Sequence, residues 1–439
     1  MAKKTKKKSA SEKSTTKPKK TGVSTKSGGK KAAKKSASKR GERATTLKKA
    51  SHMLLPLNRK NPEEIAKRAK EAGVKIPKTK NEVLSGVFLT ALDVFDKGIH
   101  GKQPLLKIPV RSLQNVEYKS KKGFFELGQK FKTRTMTVNT VKNFAQSLRM
   151  MSVAKDLIEG NDFASKREMY YISKNWEEAR FREQPESDSV MDDIEAMFGV
   201  NREQLRFVPE EKGGDVSGQL VVVDTDQQTG NRIEIDCTQF GSGAYSIPIQ
   251  VEELEFKTKA DFILVIETAA AFQRLHSNAY WKDANCILIS MGGVPTRACR
   301  RFIRRLSDAK KLPVYVFTDG DPYGYGNIYR TLKVGSGNAA HINQYFCVPQ
   351  AKFLGVTPED IKDFNIPTHP LKEQDIKRAK DALKNDPFFL RYPQWQKALK
   401  SMIKLGVRVE QQAFAKHGLN YVIDHYLPKK LAKTSKFLP

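Results

Sequence analysis

Asp319 and Asp321 stand one residue apart at the end of an apolar run, Val314-Tyr-Val-Phe-Thr, and Pro322, Tyr323 and Gly324 follow at once. A β-branched and aromatic run of this length reads as a buried strand, which the Pro and Gly must stop. Side chains two apart on an extended backbone leave on the same side, so both carboxylates can reach one hard cation. Glu267 closes a second such run, Phe262-Ile-Leu-Val-Ile, just before a helical pattern begins. If the two strands are parallel neighbours, the three acids converge at the carboxyl end of a sheet, where open α/β folds place their sites. Three oxygen ligands with room for water and phosphate suit Mg²⁺. Taken singly, Asp-Gly-Asp also fits a solvated turn, and Glu267 also fits an acid favoured by a helix N-terminus.

A second set of residues lies far upstream, in Ser165-Lys-Arg-Glu-Met-Tyr-Tyr-Ile. Ser165 with Glu168 three later is a capping box that predicts a helix start. Arg167 and Tyr171 are then four apart and share a face. A phenol titrates near pKa ~10 and is a weak nucleophile until a cation stabilises its phenolate. Arg167 can supply that charge and clamp a phosphate oxygen, although a Tyr-Tyr pair on a helix is by itself ordinary packing. Between the two acidic strands, Ile287-Leu-Ile-Ser-Met runs into Gly292-Gly293 and then a helix bearing Arg297, Arg300, Arg301, Arg304 and Arg305. Its first arginines, Arg297, Arg300 and Arg301, are expected to face DNA phosphates. A merely solvated basic face fits the same pattern.

The elements that must position these groups follow from periodicity and composition. At 439 residues two or three domains are expected. Nineteen of the first 50 residues are Lys or Arg against only Glu12 and Glu42, which puts +17 of the formal +31 into that tail. Residues 1–52 have too little apolar surface to offset ordering entropy and read as disordered, with nucleic acid as the natural polyanionic partner. A helical extension over 53–74 comes next, with a helix at Pro62–Ala72, and then helical spacing from Asn81 to Ile99. Strand-like alternation over 104–137 and a helix over 138–160 complete a small α+β module. Residues 182–217 are acidic and Pro/Gly-broken, and read as a linker with a short helix at 189–198. A hairpin spans 220–237. Strands are expected at 262–267, 286–290, 313–318 and 344–348, and helices at 268–276, 295–308, 325–332, 373–384 and 394–417. Cys237, Cys286, Cys299 and Cys347 are too dispersed for a zinc site or disulfide scaffold. No run is apolar enough for a membrane span, no secretory leader is visible, and no Walker-type phosphate loop occurs.

The two constellations together resemble those of the A subunits of type IIB DNA topoisomerases and, more distantly, the meiotic double-strand-break transesterase. Arg167-Glu168-Met169-Tyr170-Tyr171 is similar to that family's Arg-acid-x-aromatic-Tyr motif; some relatives carry Phe first, which points to Tyr171 as nucleophile. Glu267, Asp319 and Asp321 look like the metal-binding acids of a Toprim domain, and Ser290–Arg301 like its Gly loop and basic helix. Thr268 departs from the Lys found in eukaryotic relatives. The resemblance implies an α/β and α+β fold: a winged-helix (CAP-like) DNA-binding domain over 75–205, a β-rich connector over 206–254 and a Toprim domain over 255–432. It implies Mg²⁺-assisted transesterification of double-stranded DNA by Tyr171 with Arg167. The implied homodimer pairs Tyr171 of one copy with the acids of the other. ATP would enter only through a GHKL-type ATPase B subunit in an A₂B₂ assembly, located in the cytoplasm at the nucleoid, or in the nucleus of a eukaryote. Three rival readings stand beside it: a recombination-initiating transesterase without strand passage, a Toprim metal nuclease in which water attacks, and a non-catalytic architectural DNA binder whose main function is the basic tail.

Overall fold

Thr79 accepts a hydrogen bond from the Glu82 amide while the Glu82 carboxylate answers the Thr79 amide, and this capping box opens helix α1 (Lys80–Ile99). The coordinates are a computed structural model that describes residues 78–209, 213–226 and 229–439. The Lys-rich tail over 1–52 and the extension over 53–74, with its expected helix, lie outside the described residues.

Strand β1 (Leu105–Pro109) pairs antiparallel with β4 (Phe131–Thr135), and β2 (Val116–Lys119) with β3 (Phe124–Leu127). Helix α2 (Val141–Gly160) buries Phe144, Met150, Met151, Ala154 and Ile158 on one stripe and stops at Asn161, which adopts the left-handed conformation. Ala164–Ser165 forms the short strand β5 and leads into helix α3 (Lys166–Ile172), whose capping box from Ser165 and Glu168 is the one the sequence predicts. The acidic stretch expected to be a linker is instead core. Helix α4 (Gln184–Phe198) carries Pro185 in its first turn and ends at Gly199 at φ 59°, while Val190, Met191, Ile194 and Phe198 pack against α2 and α3. Its acids mislead because they alternate with an apolar stripe and find arginine partners inside the fold. Phe207–Val208 (β6) pairs in parallel with β5 and closes this module.

The second module is a six-stranded sheet. Strands β7 (Asp215–Gly218), β10 (Tyr245–Ser246), β12 (Phe262–Ile266), β13 (Cys286–Ser290), β14 (Val314–Phe317) and β15 (Lys352–Gly355) lie in the order β10-β7-β13-β12-β14-β15. β12 to β15 are mutually parallel; β7 runs antiparallel to β13, and β10 pairs antiparallel with β7 at the edge. β8 (Val221–Thr225) and β9 (Arg232–Asp236) form the expected hairpin, to which β11 (Glu255–Lys257) adds a third strand. Every residue of β12 and β13 is buried, as befits parallel strands covered on both faces. Helix α5 (Ala269–Ser277) follows β12 and helix α6 (Arg297–Lys310) follows β13, so each strand hands over to a helix at its carboxyl end.

Two expected elements differ. The apolar run at 344–348 is no strand: Asn343–Phe346 is a helical turn that packs Tyr345 and Phe346 against arginines of α6, and β15 takes the sheet edge instead. Of the helices later in the chain, α7 (Glu373–Asn385) matches its expected span. α8 (Pro393–Leu405) stops twelve residues short of the expected 417, because Gly406 at φ 68° turns the backbone out of the helix. Among the described residues no helix is long and apolar enough to cross a membrane.

Candidate active site

β12 and β14 are adjacent and in register, Ile266 opposite Phe317, so the residues that leave them emerge side by side. Glu267 and Asp319 are therefore neighbours: the Asp319 amide donates to Glu267 Oε2 at 2.8 Å. Asp321 lies one turn on, where the Gly324 amide donates to its Oδ1 at 2.6 Å. Gly324 must be glycine here, since a Cβ would sit 2.6 Å from the Asp319 carbonyl oxygen. Gln411, which the sequence reading did not single out, donates its amide to Asp319 Oδ1 at 2.8 Å.

The electrostatics of the trio are those of crowded, buried carboxylates that the Arg408 charge offsets only in part. Glu267 is only 8% exposed, and its carboxyl is pushed up to about 8, first by burial and then by the Asp319 and Asp321 charges, against the Asp319 hydrogen bond. Asp319 is pushed up to about 6 by burial, with the Gln411 amide opposing and Asp321 and Glu410 adding repulsion. Burial also raises Asp321. Among the described residues no Lys or Arg comes within ion-pair distance of any of the three. Three buried or half-buried oxygen donors, with only the Arg408 charge opposing their upward shifts and no ion pair among the described residues, fit a hard divalent ion, whose charge would offset both the burial and the mutual repulsion.

A second group of ligand-type atoms exists elsewhere. Asp192, Glu195 and His341 each place one ligand atom within 4.8 Å of the others. Their oxygens are already taken. Arg297 reaches Glu195 at 2.6 Å and Glu203 at 3.0 Å, Arg202 reaches Asp192 at 3.0 Å, and Arg111 reaches Asp192 at 3.1 Å and Asp193 at 3.0 Å. Burial alone would raise the Glu195 carboxyl, yet Arg297, His341 and Arg202 hold it well below the usual range. This is an ion-pair network joining α4 to α6.

That network also settles where the basic helix points. Arg297, Arg300 and Arg301 turn inward, away from the solvent-facing surface that phosphate contact requires. Arg297 pairs with Glu195 and Glu203, Arg301 makes a two-pronged bridge to Glu252 at 2.6 Å, and Arg300 lies over the Phe346 ring. Arg304 and Arg305 bind Asp308 and the carbonyls of Cys347, Val251 and Leu254. Composition shows the charges of a helix and not the acids that other elements bring to them.

Tyr171 is 56% exposed on α3, and no hydrogen bond among the described residues holds its hydroxyl. Tyr170 is different: its hydroxyl donates to the Arg182 carbonyl at 3.0 Å, and the Lys174 ammonium lies 4.0 Å from its ring centre. Arg167 is exposed on the same helix as Tyr171. Among the described residues no hydrogen bond, ion pair or ring contact links α3 to Glu267, Asp319 or Asp321.

Comparison with known proteins gives this arrangement a family. Residues 262–431 match the family model for the Toprim domain of the topoisomerase 6 A-subunit/Spo11 group. Residues 210–260 match that of the all-beta domain in the DNA topoisomerase VI alpha subunit, and 142–207 that of type IIB DNA topoisomerase. The chain is 50% identical over 385 residues to the type 2 DNA topoisomerase 6 A-subunit of Methanocaldococcus jannaschii, covering 88% of this chain and 99% of that protein. The chain belongs to the topoisomerase VI A-subunit family. The protein of the same name from Methanothermobacter thermautotrophicus is 38% identical over 340 residues, 77% of this chain and 94% of that protein. The one from Pyrococcus abyssi is 37% identical over 357 residues, covering 77% and 91%. Within the family's Toprim domain, β12, β14 and their carboxyl-end acids are the elements described above.

Proposed function

We propose that this chain is the DNA-cleaving A subunit of a type IIB topoisomerase, with Tyr171 as nucleophile and Glu267, Asp319 and Asp321 as ligands of Mg²⁺. The observation that carries this reading is the pair of half-sites: an exposed phenol with no hydrogen bond among the described residues on one module, and a crowded, largely buried carboxylate trio on the other. Tyr171 Oη forms a bond to a backbone phosphorus and the bond to the 3′-oxygen breaks. The phenolic proton is lost, the departing 3′-oxygen gains one, and a 5′-phosphotyrosyl link remains. One ester is exchanged for another, so the break reseals without external energy. Arg167, on the face of α3 that carries Tyr171, holds a non-bridging phosphate oxygen and stabilises the phenolate. When bound, Mg²⁺ supplies charge neutralisation at the phosphate and the leaving oxygen. The module over 75–205 acts as a winged helix that lays DNA along α3.

Tyr171 and the acids lie on different modules, and two copies complete each other: Tyr171 of one works against the acids of its partner, and the dimer cuts both strands. A GHKL-type B subunit supplies ATP hydrolysis in an A₂B₂ assembly that passes a second duplex, at the cytoplasmic nucleoid. Mixing Tyr171→Phe chains with Asp319→Ala chains tests this arrangement. In the mixed dimer, exchange between copies leaves one site intact and one doubly defective, so single-strand nicks are expected where neither variant alone cuts. Absence of nicks from mixed dimers shown to have formed would contradict shared sites.

A further inference from the structure

We infer that Gln411 is a positioning residue that locks the two ligand-bearing strand ends into one geometry, an inference that rests on reading Glu267, Asp319 and Asp321 as metal ligands. Gln411 is 2% exposed and spends its backbone amide and both ends of its side-chain amide at this one place. Its backbone amide donates to Asp319 Oδ1, its Nε2 donates to the Phe317 carbonyl at 2.9 Å, and its Oε1 accepts from the Thr268 amide at 3.2 Å and the Thr268 hydroxyl at 2.8 Å. Phe317 is the last residue of β14, and its carbonyl also accepts the Glu267 amide at 3.0 Å. Glu267 in turn accepts the Asp319 amide. Glu267, Asp319, Gln411 and Phe317 thus form a closed ring of hydrogen bonds, and Thr268 is tied to it through Gln411.

A reversal of the backbone brings Gln411 there. Gly406 ends α8, and the chain doubles back so that Val409 exchanges two hydrogen bonds with Gly320, the residue between the two aspartates, at 2.8 and 3.1 Å. The segment Val409–Gln411 is a strap across the Asp319–Asp321 loop. An amide side chain suits the position because it both donates and accepts without charge. A carboxylate there would add a fourth negative group and leave the Phe317 carbonyl without this donor. The Thr268 hydroxyl has a second duty, accepting the Ala271 amide as the N-cap of α5. A ligand held by neighbours with fixed hydrogen bonds loses less freedom when it takes up an ion, which is how groups outside the ligand set tune metal affinity.

The test is Mn²⁺ binding to the full-length chain without DNA, read from loss of the free-ion EPR signal, at a temperature where circular dichroism shows every variant folded. Gln411→Ala is expected to weaken Mn²⁺ about tenfold to a hundredfold. Thr268→Val is expected to weaken it in the same direction, while Thr268→Ser, which keeps the hydroxyl, binds as the wild type does. A role in folding alone would lower the melting temperature and leave Mn²⁺ affinity in the folded chain unchanged. Should Gln411→Ala not fold, the Val and Ser variants at 268 decide the matter in the same way. Loss of binding in Asp319→Ala with wild-type binding in both Gln411→Ala and Thr268→Val overturns the positioning role and leaves the ligand assignment standing. Wild-type binding in Asp319→Ala removes the ligand assignment and the positioning role with it.

Discussion

At the scale of single residues, two adjacent tyrosines are separated by their hydroxyls. Tyr170 spends its hydroxyl on the Arg182 carbonyl, whereas Tyr171 presents its own to solvent. Tyr171→Phe is therefore expected to abolish the covalent adduct and to change DNA affinity by less than about twofold, since phosphate contacts dominate such binding. Tyr170→Phe should keep cleavage, and adduct formation measured on both variants after a denaturing quench distinguishes them. Glu267 gives a second expectation. Its folded pKa of about 8 lies above the ordinary 4.5, so the native chain keeps a proton that the unfolded chain has released. Stability from this group is full below pH 4.5 and is lost as pH rises through about 8. Asp319 acts in the same direction up to about 6. In EDTA, urea midpoints at about pH 5 and pH 8 should fall with pH for the wild type and fall less for Glu267→Gln. Equal slopes would contradict the burial and crowding described.

At the scale of elements, the joint between α4 and α6 is held by a buried ion-pair network. Glu195 is fully buried and answers Arg297, Arg202 and His341 together. Glu195→Ala leaves those cations without their partner and is expected to cost about 3–5 kcal/mol, read from the urea midpoint. Because the Glu195 carboxyl is held below its usual range, its contribution is present above about pH 4.5 and lost on acidification. The same joint shows how far sequence could be read. β12, β13 and β14 were legible because unbroken apolar runs end at carboxylates or Gly loops, and α3 was legible from its capping box. The inward-facing arginines were not, because Glu252, Glu203 and Glu195 lie 49, 94 and 102 positions away in sequence from the arginines they meet. Gln411 was not, because a neutral amide has no local signature. The strap behind it was masked by helical spacing that continues past Gly406.

At the scale of the whole molecule, the chain carries the phenol on one module and the acids on another, and the proposed reaction joins them across two copies. The basic tail belongs to this scale as well: deleting residues 1–50 is expected to flatten the salt dependence of DNA binding while preserving cleavage chemistry. An unchanged salt slope would leave the tail without that role. The central claim is that the Tyr171 hydroxyl becomes the bridge to DNA, and peptide mapping of the protein–DNA adduct tests it most directly. End-labelled duplex is incubated with the assembled enzyme and Mg²⁺, quenched in detergent, digested, and the labelled peptide sequenced. A 5′-linked nucleotide on Tyr171 is the expected result; broken DNA with no protein attached, or a nucleotide on any other residue, would contradict it.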